Sequence, residues 1–329
     1  MSEFPSASIQ PEDPASPSLA PAPGALAASV LPPGAGGDDT LSSAAAAEGG
    51  ACPPPLQWQE VLQAVTEQST HWSVDVPGTQ LTGLTLGEGP PLIFLNSLAE
   101  PRELSFLLAW LLRDQFRCVL FDWRGVKSPQ RAPVTLDRLG ADLFEIAGHW
   151  PGEPNRLLAS GLGGLVGLRA VHDRPRQFTQ LTLVGGYAQR QLTGTERLLA
   201  TLGRWLPGSV HRLPGWRALQ WHSHRRFFPP FDETRFEFFL DRLGRMPIAP
   251  LCELAGVIAQ TNLTPLLPRI ENPVLLIETE GTPLPLREAG QTLARQLPHA
   301  TVEELHNTGL VPALTHPHRI AKLIRAAAE

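Results

Sequence analysis

The sequence predicts an α/β fold, a doubly wound and mostly parallel sheet with helices on both faces. Short unbroken apolar runs, LIFL at 92–95 and CVLF at 118–121, suit strands buried on both sides. Such runs alternate with stretches of helical spacing through most of the chain, the pattern that builds a parallel sheet. One interval, about 187–268, breaks the alternation with aromatic residues among many arginines and predicts a helical cap inserted over the sheet.

Residues 1–55 are rich in Pro, Ala, Ser and Gly and hold one aromatic, Phe4, too little apolar surface to offset the entropy of ordering. They are expected to be a disordered tail, with 56–329 as the folded domain. Residues 58–69 have helical spacing (Trp58, Val61, Leu62, Val65), and 72–76 and 81–86 form a hairpin around Pro77-Gly78. Then follow strand 92–95, helix 104–113, strand 118–121, helix 136–147, strand 156–159, helix 164–172 and strand 181–184. After the cap come strand 274–278, helix 287–296, strand 301–305 and helix 317–328. The cap aromatics, among them Trp205, Trp221, Phe228, Phe231, Phe236 and Phe239, occur at mixed spacing and are expected to be the cap's own core.

The 329 residues, 42% of them hydrophobic, suffice for one large domain. No run of about 18 apolar residues exists, and the N-terminus lacks the basic start and apolar stretch of a signal peptide, so no membrane partner is expected and the cytosol is the default compartment. Cys52, Cys118 and Cys252 are odd in number, widely spaced and without a CxxC pair, which argues against a disulfide framework or a zinc site. The net charge of -5 conceals an asymmetry. Eleven of the 32 acids precede the first lysine or arginine, Arg102, so from there onward 27 basic residues face 21 acids. No basic cluster is interleaved with stacking aromatics, and nucleic acid is not an expected partner. No phosphate-binding glycine loop is present, and His222-Ser223-His224 is the single candidate metal motif; a solvated histidine pair explains it as well, so no cofactor is expected.

Five segments in order resemble the α/β-hydrolase superfamily, in particular its capped single-domain esterase, haloperoxidase and peptidase-like members: LIFLNSLAE (92–100), FDWRGVKSP (121–129), SGLGGLVGLRAV (160–171), 264–286 and 305–324. The resemblance spans about 82–324 and implies that superfamily's fold. It also implies four catalytic parts: a serine on a sharp strand-to-helix turn, a histidine, an acid, and backbone N–H donors for an oxyanion. Aligned on the flanking residues, the serine position holds Gly161, the acid position Thr282 and the histidine position Leu310, while Asn96-Ser97 stands for the usual His-Gly pair. The N–H of Leu162 is left to point into a pocket from a helix N-terminus. The resemblance gives Asp122 a structural role, holding the Arg124-Gly125 turn.

Substitutes for the missing chemistry are few. Ser160 lies one residue before the apex, and Ser97 lies on the oxyanion loop, where a polar loop residue is also unremarkable. His306 and His316 lie near Leu310, and both also fit structural or exposed positions. Glu278 and Glu280 flank Thr282 and are the carboxylates expected nearest the pocket, which is expected to be lined by Asn96, Ser97, Gly161, Leu162, Thr282 and Leu310.

Three functions follow as alternatives. The first is a pseudo-hydrolase without Ser-His-Asp chemistry that binds a small apolar ligand or a protein partner. The second is an active ester or amide hydrolase, or a lyase, using displaced residues such as Ser97 or Ser160 with His306. The third is an interaction module acting through the N-terminal tail.

Overall fold

The computed structural model describes residues 57–127 and 133–328; the expected tail, with Cys52, lies outside them. Helix α1 (Trp58–Gln68) leads into the hairpin β1 (Thr70–Val76) and β2 (Thr79–Leu86), turned by Pro77-Gly78 with Gly78 at φ +89°. Strands β3 (Pro91–Leu95), β4 (Arg117–Phe121), β5 (Asn155–Ser160), β6 (Phe178–Val184), β7 (Val274–Thr279) and β8 (Ala300–Leu305) complete one eight-stranded sheet. Its order is β1-β2-β4-β3-β5-β6-β7-β8, antiparallel only where β2 meets β1 and β4.

Between strands lie α2 (Phe106–Leu112), α3 (Leu136–Ala147), α4 (Gly161–Asp173) and α9 (Leu284–Gln296), and α10 (Pro312–Thr315) and α11 (Pro317–Ala326) follow β8. Between β6 and β7 stand α5 (Gly194–Gly203), α6 (Trp216–His224), α7 (Glu233–Gly244) and α8 (Ile248–Gln260). The side-chain alternation of each strand feeds two cores. Ile93, Leu95, Leu157 and Ala159 pack with α3, α4 and α9, whereas Leu92, Phe94 and Leu158 pack with α1, α2, α7 and α11. Burial on both faces is why these strands read as continuous apolar runs.

The chain order places a switch at β3, with β4 on one side and β5 on the other. At such a point the loops leaving the two strand ends part to opposite faces and open a crevice at the carboxyl ends. Here those ends are Leu95-Asn96-Ser97 and Ser160-Gly161.

Three expectations are corrected. Helix α4 begins at Gly161 rather than Gly164, because the strand-to-helix turn enters the helix directly through a glycine with positive φ. The predicted helix over 104–113 is a 3-10 turn (Arg102–Ser105) followed by α2. The aromatics are not all core: Phe228, just before α7, and Phe236 and Phe239 of α7 are buried in mutual ring contacts and join the same core as α1 and α2. Trp205, Trp221 and Phe231 are exposed.

Asp122 also departs from its expected role. It accepts the Arg102 backbone N–H at 3.0 Å and faces the Arg102 and Lys127 side chains, while Arg124 is held by a buried two-pronged pair with Asp142 at 2.7 and 2.5 Å. The turn is thus fixed by a residue of α3, since the fork of a guanidinium matches a carboxylate it can meet edge-on.

Candidate functional site

At the switch point β5 ends in extended backbone at Ser160, Gly161 takes φ +48°, and α4 begins. This left-handed value costs a side-chain-bearing residue roughly 1–2 kcal/mol, and glycine adopts it freely. The space beside the apex is taken. A Cβ built on Gly161 would overlap the Ser97 hydroxyl and lie 3.0 Å from Ser97 Cβ. Ser97, arriving from the loop after β3, therefore fills the volume into which an apex side chain would project.

The same loop supplies the polar centre of the site. Ser160 Oγ–H donates to Glu100 Oε2 at 2.6 Å, and the Ser97 N–H points at both Glu100 Oε2 (3.2 Å) and Ser160 Oγ (2.9 Å). Burial pushes the Glu100 carboxyl above its ordinary range, and the hydrogen bonds from Ser160 and Ser97 oppose that rise. Tyr187, the one tyrosine in the sequence, is buried nearby; burial pushes its phenol up to about 12 against the pull of Arg190, with the Glu100 charge adding to the rise.

Asn96 is buried beneath this cluster. Its backbone oxygen accepts the Trp123 indole N–H at 2.8 Å, its Oδ1 accepts Ser105 Oγ–H at 3.1 Å, and its Nδ2 has no partner. Asn96, Glu100, Ser105 and Ser160 form the polar end of a cavity whose remaining wall includes Phe94, Leu158, Val184 and Leu310. The cavity measures about 30 Å³, room for one or two waters.

Of the sequence-predicted residues, Asn96, Ser160 and Leu310 meet at this cavity, and Ser97 and Gly161 touch beside it. Leu162 is wholly buried in the first turn of α4. Thr282 is buried away from the cavity wall, its hydroxyl 2.9 Å from that of Thr279, just before α9. Over the loops carrying Thr282 and Leu310 lies Phe227, whose ring abuts Gly281 and Gly309 so closely that a Cβ on either would overlap it.

The expected carboxylates lie elsewhere. Glu278 packs against Gly290 of α9, its carboxyl raised by burial and by Glu304, and Glu280 is exposed, accepting the Asn307 N–H at 2.8 Å. The carboxylate at the cavity is Glu100, which residue-type reasoning about the β7 loop overlooked. Its signal was present: Ser97-x-x-Glu100 ahead of a helical stretch has the spacing of a capping box.

The histidines do not line the cavity either. His306 is exposed with Nδ1 3.9 Å from Glu280, and His316 is half-buried with Nδ1 2.9 Å from Thr315 Oγ1, its imidazole lowered by burial and by Arg319 and Arg235. His222 is exposed; His224 packs edge-on to Phe239 and is lowered by burial. Among the described residues no cluster of three or more His, Cys, Asp or Glu is arranged to hold a metal ion.

A parallel sheet with a strand-to-helix elbow at its switch point is the α/β-hydrolase scaffold, and the chain belongs to the α/β-hydrolase family, whose model matches residues 30–323. It is similar to 3-oxoadipate enol-lactonase 2 of Acinetobacter baylyi, 25% identical over 224 residues that cover 66% of this chain and 80% of that protein. Among solved structures it resembles a hydrolase from Pseudomonas aeruginosa (TM-score 0.65, 21% identity, 78% of this chain and 97% of the other). It also resembles the enol-lactonase of Burkholderia xenovorans (TM-score 0.66, 19% identity, 78% and 100%). No helix among the described residues is long and apolar enough to cross a membrane.

Proposed function

We propose that this α/β-hydrolase-family chain does not hydrolyse by the Ser-His-Asp route and works as a binding protein on a hydrolase scaffold. The observation that carries the reading is the elbow itself: a glycine at φ +48° whose apex volume is occupied by Ser97. A nucleophile needs a base within hydrogen-bond reach, and neither Ser97 nor Ser160 has an imidazole as a partner. With Thr282 and Leu310 at the remaining positions, proton transfer and imidazolium stabilisation are both lost. Members of such a triad act as a unit, so the rate left over would come from binding and backbone donors alone.

Of the two binding modes expected from the sequence, a small apolar ligand fits less well at the elbow. Ligand pockets run to roughly 300–1,000 Å³, an order of magnitude above the cavity. A macromolecular partner engaging the surface fits better. The test is turnover of p-nitrophenyl acetate and of a five-membered enol lactone by the full chain. Rates at the buffer background are expected; a rate above background that vanishes in Ser97→Ala or Ser160→Ala overturns the reading.

One observation favours a second reading, in which the chain is an active hydrolase like its named relatives. Ser160 and Glu100 stand 2.6 Å apart as a hydroxyl and a carboxylate raised toward neutrality, the separation and tuning of a nucleophile and its base. Against it, Ser160 Oγ also accepts the Ser97 N–H, and the cavity of about 30 Å³ is small beside ordinary ligand pockets. Activity lost equally in Ser160→Ala and Glu100→Gln would establish this alternative.

A further inference from the structure

Among the described residues, five of the eleven large apolar side chains left exposed lie on one short stretch. Leu198, Leu199, Leu202, Trp205 and Leu206, on α5 and the turn continuing it, are between 47% and 81% exposed. At 100° per residue Leu198, Leu199 and Leu202 fall within an arc of about 100° on α5, and Trp205 and Leu206 follow on the turn that continues it. The opposite side of α5 is the anchored one: Ala200 and Gly203 are buried, and Gly203 lies against Cys252 of α8 too closely to admit a Cβ.

Three arginines accompany the stripe. Arg197 and Arg204, one heptad apart on a single flank, are exposed, as is Arg212, whose side chain reaches back to within about 3.1 Å of where a Cβ on Gly208 would stand. None of the three makes an ion pair among the described residues, while Glu196, the acid of α5, is already committed to its capping box and to Arg190 at 2.7 Å. An exposed leucine and tryptophan face with arginines at its edge is the pattern of a helix that lies in a membrane interface, apolar side down and guanidinium groups at headgroup level. A second copy would bring the same arginine-flanked face, like charge to like charge. A lipid surface bearing anionic headgroups supplies the opposite charge along with the apolar phase.

We propose that the exposed face of α5 is a docking surface for membranes containing anionic lipid. Because α5 is held to α8 from behind, the stripe is preformed and binding orders no new helix. The proposal is independent of whether the elbow turns over substrate. It also amends the expectation of no membrane partner, which rested on the lack of a spanning segment and did not consider a peripheral face.

The experiment is co-sedimentation of the full chain with sonicated vesicles of phosphatidylcholine alone or with about 30% phosphatidylserine; each arginine near such a surface contributes about 1 kcal/mol, about five-fold in partitioning. Binding to the anionic vesicles at least about ten-fold stronger than to neutral ones is expected, weakening as salt screens the surface. Arg197→Gln with Arg204→Gln is expected to lose most of that preference. Leu202→Glu with Trp205→Glu, at positions exposed enough to leave the fold intact by circular dichroism, is expected to abolish binding. Equal binding to both vesicles, or none, overturns the proposal. So does lipid-free dimerisation that Leu202→Glu abolishes, which would assign the face to a second copy.

Discussion

The elbow and the outer face of the cap treat their surfaces in opposite ways. Around Gly161 the loop after β3 is folded inward: Ser97 occupies the apex, Glu100 is shared by Ser97 and Ser160, and the cavity left is about 30 Å³. On α5 and the turn that continues it, five large apolar side chains are 47% to 81% exposed. An α/β-hydrolase catalytic centre needs an open crevice at the elbow and has no need of an apolar exterior. In this molecule the space at the elbow is small, and the apolar exterior is present.

The contrast can be broken most forcefully by overpacking the elbow. Gly163, in the first turn of α4, presses on the Leu95 carbonyl so that any Cβ there collides with backbone. Gly163→Ala is expected to cost about 3 kcal/mol, since rigid backbone cannot yield as a side chain can, and urea unfolding would measure it. Gly161→Ser comes next, at about 2 kcal/mol, from the left-handed φ and the overlap with Ser97. Placing it in a Ser97→Gly background should recover more than about 0.5 kcal/mol of that loss in a double-mutant cycle. Equal costs in the two backgrounds would mean that Ser97 does not fill the apex.

Much of the scaffold was legible in the sequence because burial on both faces writes itself as unbroken apolar runs. LIFL and CVLF became β3 and β4, and the predicted hairpin at Pro77-Gly78 formed. What failed was less local. The start of α4 was misplaced because a glycine with positive φ has no propensity signature. Glu100 was overlooked because its partner Ser160 lies 60 residues away, and a lone glutamate in a loop reads as a solvated charge. The contacts at the elbow, such as Ser97 against Gly161, depend on the switch point that only the assembled sheet creates. Spacing likewise marked the aromatics of the cap without saying that Trp205 and Phe231 face solvent.

A gentler probe of the closed elbow is pH. With its folded carboxyl raised by burial, Glu100 holds a proton more tightly in the native than in the unfolded chain. Its contribution is therefore full below the ordinary carboxylate range and is lost as pH rises through that range toward the raised value. Glu100→Gln should flatten this slope and leave the variant at least as stable as the native chain at neutral pH, as followed by thermal melts across acidic to neutral buffers. A steeper slope in the variant would mean that the carboxylate is needed charged.

The smallest effect is expected on the cap. Leu199→Ala and Trp205→Ala remove side chains that bury little, so each should change stability by less than about 0.5 kcal/mol. A loss above about 1.5 kcal/mol in either would mean that the stripe is covered by the protein itself and is no free surface.

On the reading proposed above, no activated nucleophile stands at the elbow. It is tested most directly by incubating the full chain with a fluorophosphonate and reading the intact mass. No adduct is expected at any time at neutral pH, with a serine hydrolase in the same reaction labelled to completion. A stoichiometric adduct, mapped by peptide sequencing to Ser160 or Ser97, would contradict it.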